Sequence, residues 1–158
     1  MTTSTEFNPT DTLQTIVPKV FETMLGFTAS PAPKGNLRAA PDRVSGTIGI
    51  AGENVTGAIY VHLTESLAGQ AVNALLGNPP EESVGDGDLN DAVGELTNMI
   101  GGGFKSALCD AGCACAMSTP SIIRGAYAVE APQDLLAEVV HFSCRGQSLA
   151  VEIHIKLD

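Results

Sequence analysis

Three polar side chains able to act on a partner, Asp91, Glu95 and Asn98, sit close together in the run Asp91-Ala92-Val93-Gly94-Glu95-Leu96-Thr97-Asn98-Met99-Ile100-Gly101-Gly102-Gly103-Phe104-Lys105. The apolar residues of that run recur at helical spacing, and at 100° per residue the three polar groups converge on one stripe. Carboxylates can pair with a cation, and an amide both donates and accepts hydrogen bonds. The chemistry open to such a set is positioning a partner's group. Hydrolysis through a serine nucleophile is disfavoured, because no Gly-x-Ser-x-Gly elbow exists in the chain. His62, His141 and His154 fall in predicted strands without a nucleophile beside them and read as ordinary surface or edge residues.

With Glu95 at zero on the helical wheel, Asn98, Asp91, Gly102 and Lys105 lie within about 80° of it, and Leu89, Val93, Leu96, Ile100, Phe104 and Ala107 gather opposite. The second group is the expected buried face. Gly94, Gly101, Gly102 and Gly103 stand inside the same predicted helix, each costing roughly 1 kcal/mol relative to alanine. A cost of about 3 to 4 kcal/mol implies a return. Gly94, Gly101 and Gly102 flank the polar stripe, where missing side chains would let a partner surface approach closely; Gly103 points away and is expected to serve internal packing. Lys105, near the stripe, reads as a solubility residue first and a contact second. On periodicity alone the stripe is a solvated helix face, as most such stripes are.

The setting changes that reading. Asp91-xxx-Glu95-xx-Asn98, with Gly-Glu-Leu-x-Asn-Met-Ile-Gly and the following Phe-Lys-Ser-Ala-Leu, resembles the signature helix of the CheC/CheX/FliY family of response-regulator phosphatases. The resemblance runs along nearly the whole chain, through Phe21–Phe27, Val44–Ile50, Ala74–Gly77 and Ser118-Thr119-Pro120. Only one Glu-x-x-Asn occurs, where CheC-like members usually carry two, so the CheX branch is favoured.

The resemblance implies that Glu95 and Asn98 enter the active site of a phosphorylated CheY-type response regulator, whose own aspartate carries the phosphoryl group and whose own site holds Mg²⁺. This chain would bring no metal or other cofactor. Water attacking an aspartyl phosphate must be placed in line behind a group that already carries negative charge, a task that suits a neutral amide better than a carboxylate. Asn98 would therefore orient the water, and Glu95 would pair with the regulator's active-site Lys and fix register. Asp91, Gly94, Gly101 and Gly102 would complete the partner-binding surface. The competing reading is a non-catalytic binding module that sequesters the phosphorylated regulator on the same face.

The composition fits a protein partner better than a polyanion. A formal net charge of −10 repels nucleic acid and anionic membranes, and no apolar run approaches the ~20 residues needed to span a bilayer. The start, Met1 to Glu6, lacks a basic segment followed by a hydrophobic one, so a cytoplasmic location is expected. Apolar residues make up 44% of the chain but aromatic residues only 4%, which points to a core of small aliphatic side chains. Cys109, Cys113, Cys115 and Cys144 match neither a zinc ribbon nor a redox C-x-x-C and read as free, partly buried thiols, with metal or redox roles the lesser readings.

At 158 residues the chain is one domain, residues 11–158, behind a loose arm over residues 1–10. The spacing predicts a helix from Asp11 to Leu25 closed by Gly26, with Pro18 either kinking it or marking its first turn. Alternating runs at Val44–Ile50 and Val55–Val61 predict an antiparallel hairpin. A helix capped by Thr64 runs to Gly77, and an acidic linker, 78–87, leads into the signature helix. Strands follow at 114–118, 122–123, 139–144 and 149–157, the last two joined at Arg145-Gly146-Gln147. The sum is an α+β two-layer sandwich with long helices packed on an antiparallel β-sheet. A homodimer is expected, with residues 149–157 as the exposed edge strand.

Overall fold

The computed structural model describes residues 7–35, 37, 40–125, 127 and 130–158. Helix α1, Pro9–Leu25, is capped by Asn8, whose side chain accepts from the Asp11 N–H, and starts with proline at its first position, where no N–H is needed. Pro18 lies well inside the helix and does not mark its first turn. Part of the expected arm is therefore structured: Phe7 packs edge-on against Phe104 at 5.2 Å, and the Thr10 hydroxyl donates to Glu138. Residues 1–6 of that arm lie outside the described residues.

Strand β1, Ala29–Pro31, follows α1 and pairs with the penultimate strand of the chain. The predicted hairpin is β2, Arg43–Ala51, and β3, Val55–Thr64, paired from Arg43↔Thr64 to Ala51↔Thr56. Thr64 then caps α2, Glu65–Leu76, accepting from the Leu67 N–H, and Gly77 closes it in the left-handed conformation. The signature helix α3 is continuous over Asp86–Asp110, through all three consecutive glycines. Short strands β4, Ala116–Met117, and β5, Ser121–Arg124, both pair with β2. The chain ends in β6, Leu136–Cys144, and β7, Gln147–Leu157, joined across Arg145 and Gly146, both at positive φ as a two-residue hairpin turn demands.

All pairings are antiparallel, in the order β1-β6-β7-β3-β2-β4 with β5 also on β2. The three helices cover one face. There Ile48, Ile59, Val61, Val140, Phe142, Val151 and Ile153 meet Leu13, Val17 and Phe21 of α1, Leu67 and Ala71 of α2, and Leu96, Ile100 and Phe104 of α3. This is the expected α+β two-layer sandwich, but β7 is not its edge. It lies between β6 and β3, so residues 149–157 offer no free strand; the outer strands are β1 and β4 with β5. No helix among the described residues is long and apolar enough to cross a membrane.

The other face of the sheet holds a buried polar chain. Ser45 Oγ lies 2.6 Å from His62 Nδ1, His62 Nε2 lies 3.2 Å from Glu152 Oε1, and His154 Nε2 lies 2.8 Å from Glu152 Oε2. All four residues are buried. The reading of His62 and His154 as surface or edge residues is thus corrected: both stand on interior strands, each with Nε2 within hydrogen-bond distance of the Glu152 carboxyl group. Beside them the buried Arg43 donates to the carbonyls of Gly125 and Tyr127, with its guanidinium 3.9 Å from the centre of the Tyr127 ring. Buried polar groups are costly to leave underpartnered. His62→Ala is expected to lower unfolding stability by about 1 to 3 kcal/mol, read from urea denaturation curves.

Candidate functional site

Helix α3 begins under tight restraint. Asp86 and Asp88 lie in its first turn, where carboxylates complement the helix dipole. Arg124 of β5 fastens that turn: its guanidinium donates to Asn90 Oδ1 at 2.9 and 3.1 Å and to the Asp86 carbonyl at 3.2 Å, and it reaches Glu65 of α2 at 3.5 Å. One side chain thereby sets β5, α2 and α3 relative to one another. Further along, the buried Thr97 donates to the Val93 carbonyl at 2.7 Å and packs onto Gly46 of β2.

This rotation turns the predicted stripe outward. Asp91 and Glu95 are exposed and Asn98 is half-buried. Together with Asn90, Gly94, Pro120 and Ile122 they line one recess of about 360 Å³. On one flank Asp91 and Glu95 border a second hollow, about 240 Å³, against Val72, Leu75 and Leu76 of α2. On the other, Asn98 and Gly102 border a third, about 380 Å³, whose far wall is Ile16, Val20 and Met24 of α1. The stripe is therefore a polar ridge between hollows with apolar walls. Among the described residues, the side chains of Asp91, Glu95 and Asn98 have no hydrogen-bond or ion-pair partner, so their donors and acceptors are available to another molecule. The described residues contain no group of three His, Cys, Asp or Glu side chains placed to hold a metal ion.

The glycines divide. Gly94 is buried at the floor of the recess, where a Cβ would just touch Pro120 Cγ at 3.7 Å. Gly102 is open, with nothing within 4 Å. Gly101 does not belong to the partner surface: a Cβ there would fall 2.0 Å from Ile48 Cδ1, so its missing side chain lets helix and sheet close together. Gly103 packs against Ile16 of α1, where a Cβ would stand 3.0 Å from Cγ2. Lys105 is half-buried and does not line the recess. The recess wall formed by Pro120 and Ile122 and the clamp formed by Arg124 were not singled out from the sequence as site residues. Of these, only Pro120 had a signal, as part of the Ser118-Thr119-Pro120 run.

Fold and stripe define a class: a two-layer α+β domain with an acidic, amide-bearing helix face on its surface. The chain belongs to the CheX chemotaxis phosphatase family, whose model matches residues 44–143. Among solved structures it is similar to the chemotaxis protein CheX of Vibrio vulnificus, at 26% identity over 92% of this chain and 97% of that one, with a TM-score of 0.79. It is also similar to a chemotaxis protein CheX of Desulfovibrio desulfuricans, at 30% identity over 92% and 97%, TM-score 0.77. The CheX of a Borrelia burgdorferi complex with CheY, BeF3 and Mg²⁺ shares the fold at 22% identity over 92% and 96%, TM-score 0.70. No curated protein matches the chain.

The division among the glycines predicts opposite outcomes for one substitution at neighbouring positions. Gly101→Ala should destabilise the fold by about 1 to 3 kcal/mol through overpacking on Ile48. Gly102→Ala should leave stability unchanged or raise it by up to about 1 kcal/mol. Thermal unfolding of the two variants beside the parent chain checks both.

Proposed function

We propose that this chain accelerates loss of the phosphoryl group from the aspartyl phosphate of a CheY-type response regulator, acting through the ridge of α3. The observation that carries this reading is the pairing of Glu95 and Asn98, one helical turn apart on a single recess and both uncommitted within the chain. Membership in the CheX phosphatase family supports it, and so does a CheX of the same fold in complex with CheY.

In this mechanism the regulator supplies the phosphorylated aspartate and its own Mg²⁺, and the present chain supplies geometry. Glu95 docks against the regulator's active-site Lys and sets the helix in register with the phosphoryl group. Asn98 then holds a water in line with the P–O bond to be broken, accepting from the water through its carbonyl oxygen and leaving the oxygen lone pair aimed at phosphorus. No covalent intermediate on this chain is required. The apolar hollows on either side of the ridge favour close contact that excludes bulk water, which strengthens the ion pair and the hydrogen bonds at the centre. Asp91 and the open Gly102 contribute to the contact surface, and Gly94 gives the recess its depth.

The same reading places the protein in the cytoplasm beside its regulator. It includes a homodimer, which would form through an outer strand, β1 or β4 with β5, since β7 is interior. Light scattering at micromolar concentration should return twice the chain mass; a monomer mass would remove the dimer from the proposal.

The decisive experiment follows decay of a phosphorylated CheY-type regulator with Mg²⁺ present. Addition of the chain should hasten decay, Asn98→Ala should reduce the acceleration by about 100-fold or more, and Glu95→Gln should raise the KM about tenfold with a smaller change in kcat. Binding of the phosphorylated regulator with no change in its decay would instead establish a sequestering module. An unchanged rate with Asn98→Ala would refute the assigned role of the amide.

A further inference from the structure

A single exposed leucine needs no explanation, but Leu75 and Leu76 stand together at the end of α2, at 38% and 60% exposure. Leu76 is the most exposed large apolar side chain among the described residues. The pair forms one rim of the hollow between α2 and α3, whose floor is the buried Val72 and Ala92. At about 240 Å³ this hollow is smaller than most small-molecule sites, which begin near ~300 Å³. It suits one or two side chains of another protein.

The opposite rim is charged. Asp88, Asp91 and Glu95 line it from α3, and their spacing of three and four places them on one stripe. Asp88 stands in the first turn, where it complements the helix dipole. Asp91 and Glu95 lie beyond that turn, and like charges one turn apart repel. No Lys or Arg lines the hollow, and none of the three carboxylates has a hydrogen-bond or ion-pair partner among the described residues. Arg124 is committed instead to Asn90, Asp86 and Glu65. The stripe is thus complementary to a partner that brings its own cation. Asp91 and Glu95 also line the recess that holds Asn98, so hollow and recess form one continuous surface.

We propose that the hollow between α2 and α3 selects the response regulator, receiving from it an apolar side chain flanked by a second Lys or Arg, distinct from the active-site Lys set against Glu95. This rests on the reading of the ridge as the surface that docks the regulator. The seven residues from Asp88 to Glu95 rise about 10 Å along the helix, so the two cations of the regulator stand about that far apart. The other flank of the ridge differs: the hollow against α1 is lined by Lys19 and by no carboxylate. The regulator therefore docks in one direction, its basic side toward α2. Reversed docking sets its cation near Lys19 and leaves the three carboxylates unmatched, so the charges reject the wrong orientation while the leucines supply contact.

The test titrates the full chain with a CheY-type regulator from the same cell, activated by beryllium fluoride and Mg²⁺, and separately follows decay of the phosphorylated form. Leu75→Ser combined with Leu76→Ser is expected to weaken binding and raise KM about tenfold, with kcat changed less than about twofold. Asp88→Lys should raise KM about fivefold at about 0.05 M salt, and the difference should shrink at about 0.5 M. Leu136→Ser, at a leucine 51% exposed on β6 that lines none of these hollows, should alter neither quantity. Thermal unfolding of each variant checks the fold, and Asp88→Lys decides alone if the leucine change unfolds the chain. Unchanged binding and KM in the Leu75/Leu76 and Asp88 variants, beside normal acceleration by the parent chain, would overturn the proposal and leave the reading of the ridge standing. Binding that depends on the hollow without faster decay would support the proposal and remove catalysis. A parent chain that binds no activated regulator would overturn both.

Discussion

The structure depends on how closely α3 settles onto β2, and two glycines make that approach possible from opposite sides. Gly46 of the strand receives Thr97 of the helix, and Gly101 of the helix receives Ile48 of the strand; a Cβ at either glycine would lie 2.0 Å from its neighbour. The spacing is matched. Four residues of helix rise about 6 Å, and two residues of strand rise about 6.6 Å, so the two contacts mesh in a single register. Thr97 and Gly101 also share one helix face, as positions four apart do. Once that face is committed to the sheet, Glu95 and Asn98 have nowhere to point but outward. The orientation of the polar ridge is thus a packing consequence, set by residues that have no chemistry of their own.

How much of this could be read from the chain alone follows the same physics. The signature helix, its outward stripe and the β2–β3 hairpin are written in local periodicity, and they appear where periodicity puts them. What periodicity leaves open is the identity of each element's neighbours. The alternation of Leu149, Val151, Ile153 and Ile155 shows one apolar face, but a strand at the edge and a strand at the centre alternate alike, and β7 proved central. His62 and His154 lie on the polar side of their strands in any reading. The burial of His62 and its contact with Glu152 depend on two strands far apart in sequence being laid side by side. Gly101 shows the same limit at one residue: the wheel places it close enough to the stripe to look like open surface, and only the position of Ile48 shows which way it serves.

The two faces of the sheet are stabilised by different means. On the helical side, burial of aliphatic side chains is non-directional and tolerates exchange of like for like. On the other side, Ser45, His62, Glu152 and His154 depend on directed hydrogen bonds that each need the right partner at the right distance. Arg124 adds a third device at the start of α3, gathering a helix terminus, a neighbouring helix and an edge strand on one planar guanidinium. Neither Arg124 nor any member of the polar chain lines the recess beside Glu95 and Asn98.

The meshing of Thr97 and Gly101 with Gly46 and Ile48 also acts as a length gauge. A residue gained or lost in the acidic connection at 78–85 is absorbed by a loop, and the helix beyond keeps its phase. The same change between Thr97 and Gly101 would turn everything downstream by about 100°, so that one of the two contacts must open. Changes in chain length are therefore tolerable ahead of α3 and costly within it, and the interval that includes Asn98 is held at four residues by the geometry of two glycines.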